Sequence, residues 1–489
     1  MVKRSVQLLN WLREPFGVPT WTIMALVVLS LSVGAVIPMF GDSMGYQFGR
    51  LAALPALLLL GVLLIYDYKK LVMLILLFRS VGDMVLESTQ FGIGSVRMGI
   101  GGLINLFVII IACMMMMEKP KAFPGRLARY WLPFVLMMSV GLVLSYEKTN
   151  ALKMYLGIVS NFAIFMIAIY IVRSNEDFNK AIRLVMYSSL LPTLYALVDI
   201  ALHMRGGDFR LQSTFSHPNV LAFYLTLVLV LGLYMLKSPL YNITPRARVA
   251  VCIYMPVLML QLLLTQTRSA WLACFLVFVL YALIFKRSYL LYLLLLPLLL
   301  FVPSVNERLM DLGQGNEVVR NAQLNSFAWR VLLWESAIGW METSRLLLGY
   351  GLDGFGYHVA TFFPADRTIR WDAHNVYVQF LFEMGIVGVL CYLWLYARVL
   401  GTLRALARID RVSGFLMLAI VVQYLIVSFS DNMFRYLVFN WYLWFVVGGA
   451  CALVHLHAGT RATTGRAGAV RHRAGSSTSG LPGNHEGKV

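Results

Sequence analysis

Three short stretches of the chain gather the residue types able to do chemistry. Arg205 and Arg210 precede Ser213-Thr214-Phe215-Ser216-His217-Pro218-Asn219, Arg268 sits in the turn Thr265-Gln266-Thr267-Arg268-Ser269, and His374-Asn375 opens an apolar run. Arginine offers a planar, permanently charged fork that matches phosphate or pyrophosphate oxygens. A neutral histidine, with an ordinary pKa of about 6.5, can accept the proton of an attacking hydroxyl. Together these groups suit displacement of a pyrophosphate whose growing charge is met by fixed cations. The energy of such a reaction resides in the bond to phosphate, so no nucleotide is required.

Each residue also has a plainer role open to it. An arginine at a bilayer boundary can simply snorkel to a headgroup, which is the competing account of Arg205. Arg268 is harder to dismiss, because a charge in a tight turn between two apolar runs is costly unless paired. His374-Asn375 can cap a helix, and His217-Pro218-Asn219 can start one with proline in its first turn. Arg79, Asp83 and Glu87 form either an intramembrane network that holds helices together or part of a substrate path. Asp431, Asn432 and Arg435 are either another part of the site or only a turn.

The elements that must position these residues follow from composition. Of 489 residues, 60% are hydrophobic and 13% charged, against roughly half and a quarter in a soluble domain. The apolar residues fall into blocks of about 17–22, long enough to cross a bilayer as helices. The fold class is therefore an all-α polytopic membrane protein with about 12–14 transmembrane helices. The divisions are 1–302, transmembrane helices with short loops; 303–374, a long outer loop; 375–456, further transmembrane helices; and 457–489, a basic, disordered cytoplasmic tail. Lys3, Arg4 and Arg13 lead into an apolar run without a small-residue cleavage site, the pattern of a retained anchor.

The net charge of +18 reflects Lys and Arg gathered in cytoplasmic links facing anionic headgroups, and names no nucleic acid. With that orientation Arg210, Arg268 and His374 all lie at the outer boundary of the bilayer, where a lipid pyrophosphate keeps its tail in the membrane. In the long loop Phe327, Val331, Trp334, Ile338 and Met341 recur at helical spacing, predicting an amphipathic helix on the membrane surface or the protein body. The stretch from Gly349 to Gly356 is a Gly-aromatic loop without the Lys-Ser/Thr of a phosphate loop. Walker, HExxH and paired-cysteine motifs are absent, which argues against an ATP-driven pump or zinc protease. The five cysteines all fall within apolar runs and read as small core or lipid-facing residues.

The order of four motifs resembles the O-antigen ligase/polymerase family. They are Arg210 with Thr214-Phe215-Ser216-His217-Pro218-Asn219, Thr265-Gln266-Thr267-Arg268-Ser269-Ala270-Trp271, Leu348-Gly349-Tyr350-Gly351, and Ala373-His374-Asn375 with Glu383-Met384-Gly385-Ile386-Val387-Gly388. The resemblance implies a C-type glycosyltransferase fold with short helices in a periplasmic loop. It also implies a metal-independent, cofactor-free, inverting enzyme of the bacterial inner membrane. The implied donor is an undecaprenyl pyrophosphate-linked glycan. The acceptor is lipid A-core for a ligase, or a second lipid-linked glycan for an O-antigen or exopolysaccharide polymerase. Membrane lipids and other polysaccharide-assembly proteins are the implied partners.

Carried onto this chain, the catalytic residues are Arg210 and Arg268 on the pyrophosphate and His374 as base. Arg205, His217, Asn219, Thr267 and Asn375 are the substrate-binding candidates, with Arg205 able to take the place of Arg210. The competing class is a polysaccharide or lipid-linked sugar transporter or flippase, which would concentrate its ionisable residues at mid-membrane on broken helices.

Overall fold

The computed structural model describes residues 61–83 except 62 and 65, 90–93, 96–120, 123–203, 209–301, 306, 326–363 and 370–475. Arg205, the span expected near 21–40, residues 51–60 of the span expected near 51–66, and most of the first half of the long loop lie outside the described residues. The described chain is helical apart from one antiparallel hairpin, β1 (Gln90–Ile93) with β2 (Val96–Gly99). Among the described residues eight helices are long and apolar enough to cross a membrane, and Leu132–Leu144 and Arg411–Val427 are shorter apolar helices.

In chain order the helices are α1 (within 61–78), α2 (Ile100–Glu118), α3 (Gly125–Ala128), α4 (Leu132–Leu144), α5 (Lys148–Ile171), α6 (Asn175–Ser188) and α7 (Leu190–His203). They continue with α8 (Pro218–Lys237), α9 (Pro245–Leu264), α10 (Arg268–Phe285), α11 (Ser326–Trp340), α12 (Gly354–Phe362), α13 (Val376–Leu406), α14 (Arg411–Val427) and α15 (Leu437–Gly475). The chain starts many of these with local signals. Ser174, Thr244, Asn375 and Asp410 each accept a backbone N–H with their side chain, and Pro245 follows Thr244 directly.

Burial sorts the bundle. The apolar span of α15 is 94% buried and that of α8 83%, whereas α9 is 22% and α10 28%. The first pair forms the centre. The outer helices turn apolar faces outward, as lipid contact requires. Trp131, beside α4, meets Trp444 of α15 with ring centroids 4.4 Å apart, and Trp441 donates its Nε1–H to Ser160 of α5.

Three details differ from the sequence expectation. The segment read as a span at 288–302 is a 3-10 helix, Arg287–Phe301. At ~2.0 Å per residue its 15 residues still reach about 30 Å, the thickness of the hydrocarbon core. The last helix continues to Gly475 where a disordered tail from 457 is expected, and residues 476–489 lie outside the described residues. The amphipathic helix of the outer loop forms as α11, but its buried face is Leu333 and Ala337, while Phe327 and Ile338 are exposed. Periodicity finds the helix and not the partner. Here the partner is an aromatic cluster of the protein body containing Phe355, Phe362 and Phe382, with Trp334 packed beside it.

Helix α13 is broken at Gly385, whose φ of 65° and ψ of −169° lie outside the helical region. The backbone groups freed there pair with the loop segment that precedes α12. Tyr350 and Gly351 donate to the carbonyls of Phe382 and Glu383 at 2.9 Å each, and Ile386 donates to Leu346 at 2.8 Å. The approach is close enough that a Cβ on Gly385 would stand 2.2 Å from the Leu347 carbonyl, and one on Gly349 2.4 Å from the Glu383 backbone. The Gly-Tyr-Gly and Met-Gly motifs are thus two sides of one backbone joint. It fixes the outer loop to the helix that His374 precedes.

Candidate active site

The links at one end of the bundle are stitched together. Leu211 donates its backbone N–H to Leu264, Val376 to Ser428 and Leu352 to Gly141. The link before α8, the turn between α9 and α10, the start of α13 and the link after α14 therefore share one face. The Thr214-Phe215-Ser216 stretch serves this assembly. Thr214 donates its hydroxyl to the Ser80 carbonyl, and Ser216 bonds Asp83 through both N–H and hydroxyl. Asp83 also pairs with Arg79 at 3.4 Å, and Arg79 lies over the Trp441 ring. The two described members of the Arg79-Asp83-Glu87 set tie helices together, and Glu87 lies outside the described residues.

Asn219 is the hub of the site. Its Oδ1 accepts from Arg210 Nη2 at 3.0 Å and from the Thr267 hydroxyl at 3.1 Å, while its Nδ2 donates to Asp431 Oδ2 at 2.6 Å. A side-chain amide suits this place because it accepts at one end and donates at the other. Arg210 is braced further by donating Nε–H to the Thr265 carbonyl at 3.1 Å. Arg268 opens α10 directly after Thr267 and is half-buried.

Asp431 is buried beneath this hub. Its Oδ1 accepts from the Tyr436 hydroxyl at 2.7 Å and from the Asn432 N–H at 2.9 Å, and lies 3.8 Å from His374 Nδ1. Burial pushes the Asp431 carboxyl upward, but His374 beside it, the Tyr436 hydroxyl and the charge of Arg330 outweigh this, and its pKa falls below the ordinary value. His374 keeps 31% of its side chain exposed. An acceptor hydroxyl can therefore approach it from outside while Asp431 faces one ring nitrogen.

His217 accepts from the Asn219 N–H at 3.1 Å and so caps α8. Desolvation by the atoms packed around it, then the charge of Arg210, holds its pKa below the ordinary histidine value. Asn375 caps α13, accepting from the N–H groups of Tyr377 and Val378. Next to it the Ala373 N–H donates to Gln379, whose Nε2 donates to the buried Glu383.

The structure thus brings Arg210, His217, Asn219, Thr267 and His374 together, with Arg268 on the same turn as Thr267. It adds Asp431 as the central carboxylate, and Tyr436 and Arg330 around it. The short polar link of Asp431 hints at its role, whereas nothing in the sequence hints at Arg330, a single cation in an apolar-faced helix. Asp372, two residues before His374, is pushed upward by burial and held back first by the charge of Arg435.

One comparison with known proteins overlaps part of this frame. Residues 251–393 match the family model described as O-antigen ligase. The matched stretch runs from α9 to the first half of α13 and contains Thr267, Arg268 and His374. No curated protein matches the chain.

Proposed function

We propose a specific reaction for this chain, which belongs to the O-antigen ligase/polymerase family and is a multi-pass membrane protein of glycosyltransferase type. It transfers a glycan from undecaprenyl pyrophosphate to a sugar hydroxyl at the periplasmic face of the bacterial inner membrane, with inversion at the anomeric carbon. The acceptor is lipid A-core or a second lipid-linked glycan.

The observation that carries this reading is the series Arg210–Asn219–Asp431–His374, two hydrogen bonds followed by a 3.8 Å approach. It holds a cation suited to a leaving pyrophosphate and a base suited to an attacking hydroxyl in one frame. In the proposed step His374 takes the acceptor proton as the acceptor oxygen bonds to the anomeric carbon. The bond from that carbon to the pyrophosphate oxygen breaks on the opposite side, and the electron pair leaves with the pyrophosphate. Arg210 and Arg268 neutralise that charge. Asp431 faces His374 and stabilises the imidazolium that forms.

Thr267 and Asn219 orient Arg210, and the caps made by His217 and Asn375 fix the two helix starts. A transporter reading finds less support, since the pair Arg79–Asp83 is engaged in helix packing and in holding Ser216.

The test is transfer in proteoliposomes from a lipid pyrophosphate-linked oligosaccharide. Arg268→Ala is expected to abolish turnover while the protein inserts normally, and Arg268→Lys to restore little, because an ammonium lacks the bidentate fork. Near-normal turnover in Arg268→Ala would remove this proposal. Deleting the gene separates the two acceptors. Loss of O-chains with accumulation of long lipid-linked chains marks a ligase, and single repeats without long polymer mark a polymerase.

A further inference from the structure

Two strained backbone positions of the outer loop converge on one guanidinium. Among the described residues, the non-glycine residues with left-handed φ are Ser213, Gln266, Asp353 (φ 61°) and His374 (φ 48°). Such conformations persist only where the surroundings over-determine them. Asp353 and His374 both belong to the outer loop, and Arg435 reaches both neighbourhoods from the link between α14 and α15.

Its Nη2 donates to Asp353 Oδ1 at 3.1 Å, and its Nη1 pairs with Asp372 Oδ1 at 3.0 Å. Asp372 stands two residues before His374. The second oxygen of Asp353 lies 4.0 Å from Arg370, and Arg370 pairs in turn with Glu147 in the link between α4 and α5. The segment carrying His374 is otherwise held through Ala373, whose carbonyl accepts from Trp334 Nε1 at 2.6 Å and whose N–H donates to Gln379.

An arginine beside a phosphate site invites the view that it binds phosphate as well. Here both terminal nitrogens are engaged by carboxylates. Arg435 and Arg370 together face three acidic side chains, so the cluster has no surplus positive charge to offer an anion.

We propose that Arg435 is a positioning residue: its planar fork fixes Asp353 and Asp372 relative to one another, and thereby holds His374 in its left-handed backbone conformation facing Asp431. The inference rests on the reading of His374 as the base. Arginine is required because two carboxylates on different parts of the loop must be held at a set angle, which a single ammonium does not impose.

The test uses the full chain in proteoliposomes with the lipid pyrophosphate-linked donor, separating turnover from KM. Arg435→Gln is expected to lower turnover by on the order of 10²-fold, the cost of a displacement of about 1 Å at a reacting group. The donor KM should stay within about twofold of wild type, as for a group that does not touch the donor. Asp372→Asn should lower turnover in the same direction. Arg435→Lys should recover part of the loss, and added guanidinium should restore turnover to Arg435→Ala, which a general loss of folding would not allow.

Wild-type turnover in Arg435→Gln would overturn the inference, as would a raised donor KM with unchanged turnover, which would make Arg435 a donor ligand. Failure of both the lysine variant and guanidinium to restore any activity would overturn it too. A wild-type protein that transfers nothing removes the parent reading, whereas active wild type with an unaffected Arg435→Gln removes this inference alone.

Discussion

Asp431→Asn is the most informative single change, because it keeps the shape of the side chain and removes one charge. Both oxygens of Asp431 accept: Oδ2 from Asn219, and Oδ1 from Tyr436 and the Asn432 N–H. An asparagine has one accepting end. If its amide nitrogen faces Asn219 Nδ2, two donors meet unless Asn219 flips, and a flip removes the acceptor of Arg210 and Thr267. If the nitrogen faces the other way, it meets the Asn432 N–H. Either orientation leaves a buried donor unpaired, at about 1–3 kcal/mol.

The effect on catalysis is separate and adds to this. A carboxylate 3.8 Å from His374 stabilises a developing imidazolium by about 4 kcal/mol at an effective dielectric of about 20. His374 is partly exposed, and its proton is only partly transferred in the transition state, so about 1.4–3 kcal/mol is the working figure. That corresponds to roughly 10–100-fold in rate. The assay is turnover in proteoliposomes at saturating donor and acceptor, with insertion checked by detergent melting. Wild-type turnover in a folded Asp431→Asn protein would refute the argument that the carboxylate serves the base.

Further outcomes follow from the same geometry. His374→Asn should keep the fold, since asparagine tolerates left-handed backbone, while losing on the order of 10²-fold or more in turnover as general-base function disappears; retained turnover would make the residue a loop former. Gly385→Ala should lower detergent melting strongly, with a cost of roughly 3 kcal/mol or more from positive φ and the clash with Leu347, and an unchanged melting point would mean the joint can yield. The Asp431 carboxyl has a folded pKa below its unfolded value, so its contribution to stability is complete above about pH 4 and fades as pH falls through the folded pKa. The melting gap between wild type and Asp431→Asn should therefore be level from about pH 5 to 7 and close only below about pH 4; closure near neutral pH would contradict the depressed carboxyl.

Much of this protein is written locally in its sequence. Apolar runs of bilayer length mark the helices, and caps such as Thr244 and Asn375 mark where they start, because a helix in lipid must satisfy its backbone within itself. The grouping of Arg210, Arg268 and His374 at one end follows from counting spans, since alternate links lie on the same side. What the sequence does not determine is which side chains touch across that end. Asn219 stands in the first turn of α8 and Asp431 in the link after α14, far apart in the chain, and only the packing of α8 against α14 and α15 brings them within hydrogen-bond reach. The same holds for α11, where 3.6-residue periodicity predicts a helix, yet the face that is buried depends on where Phe355, Phe362 and Phe382 stand. The Gly349 and Gly385 motifs read as separate signatures in sequence and become one backbone joint in three dimensions. Charge pairing follows the same rule: Arg435 is a lone cation in a short link until tertiary structure sets two aspartates of the outer loop against it, because Coulomb attraction depends on distance in space and not on separation along the chain.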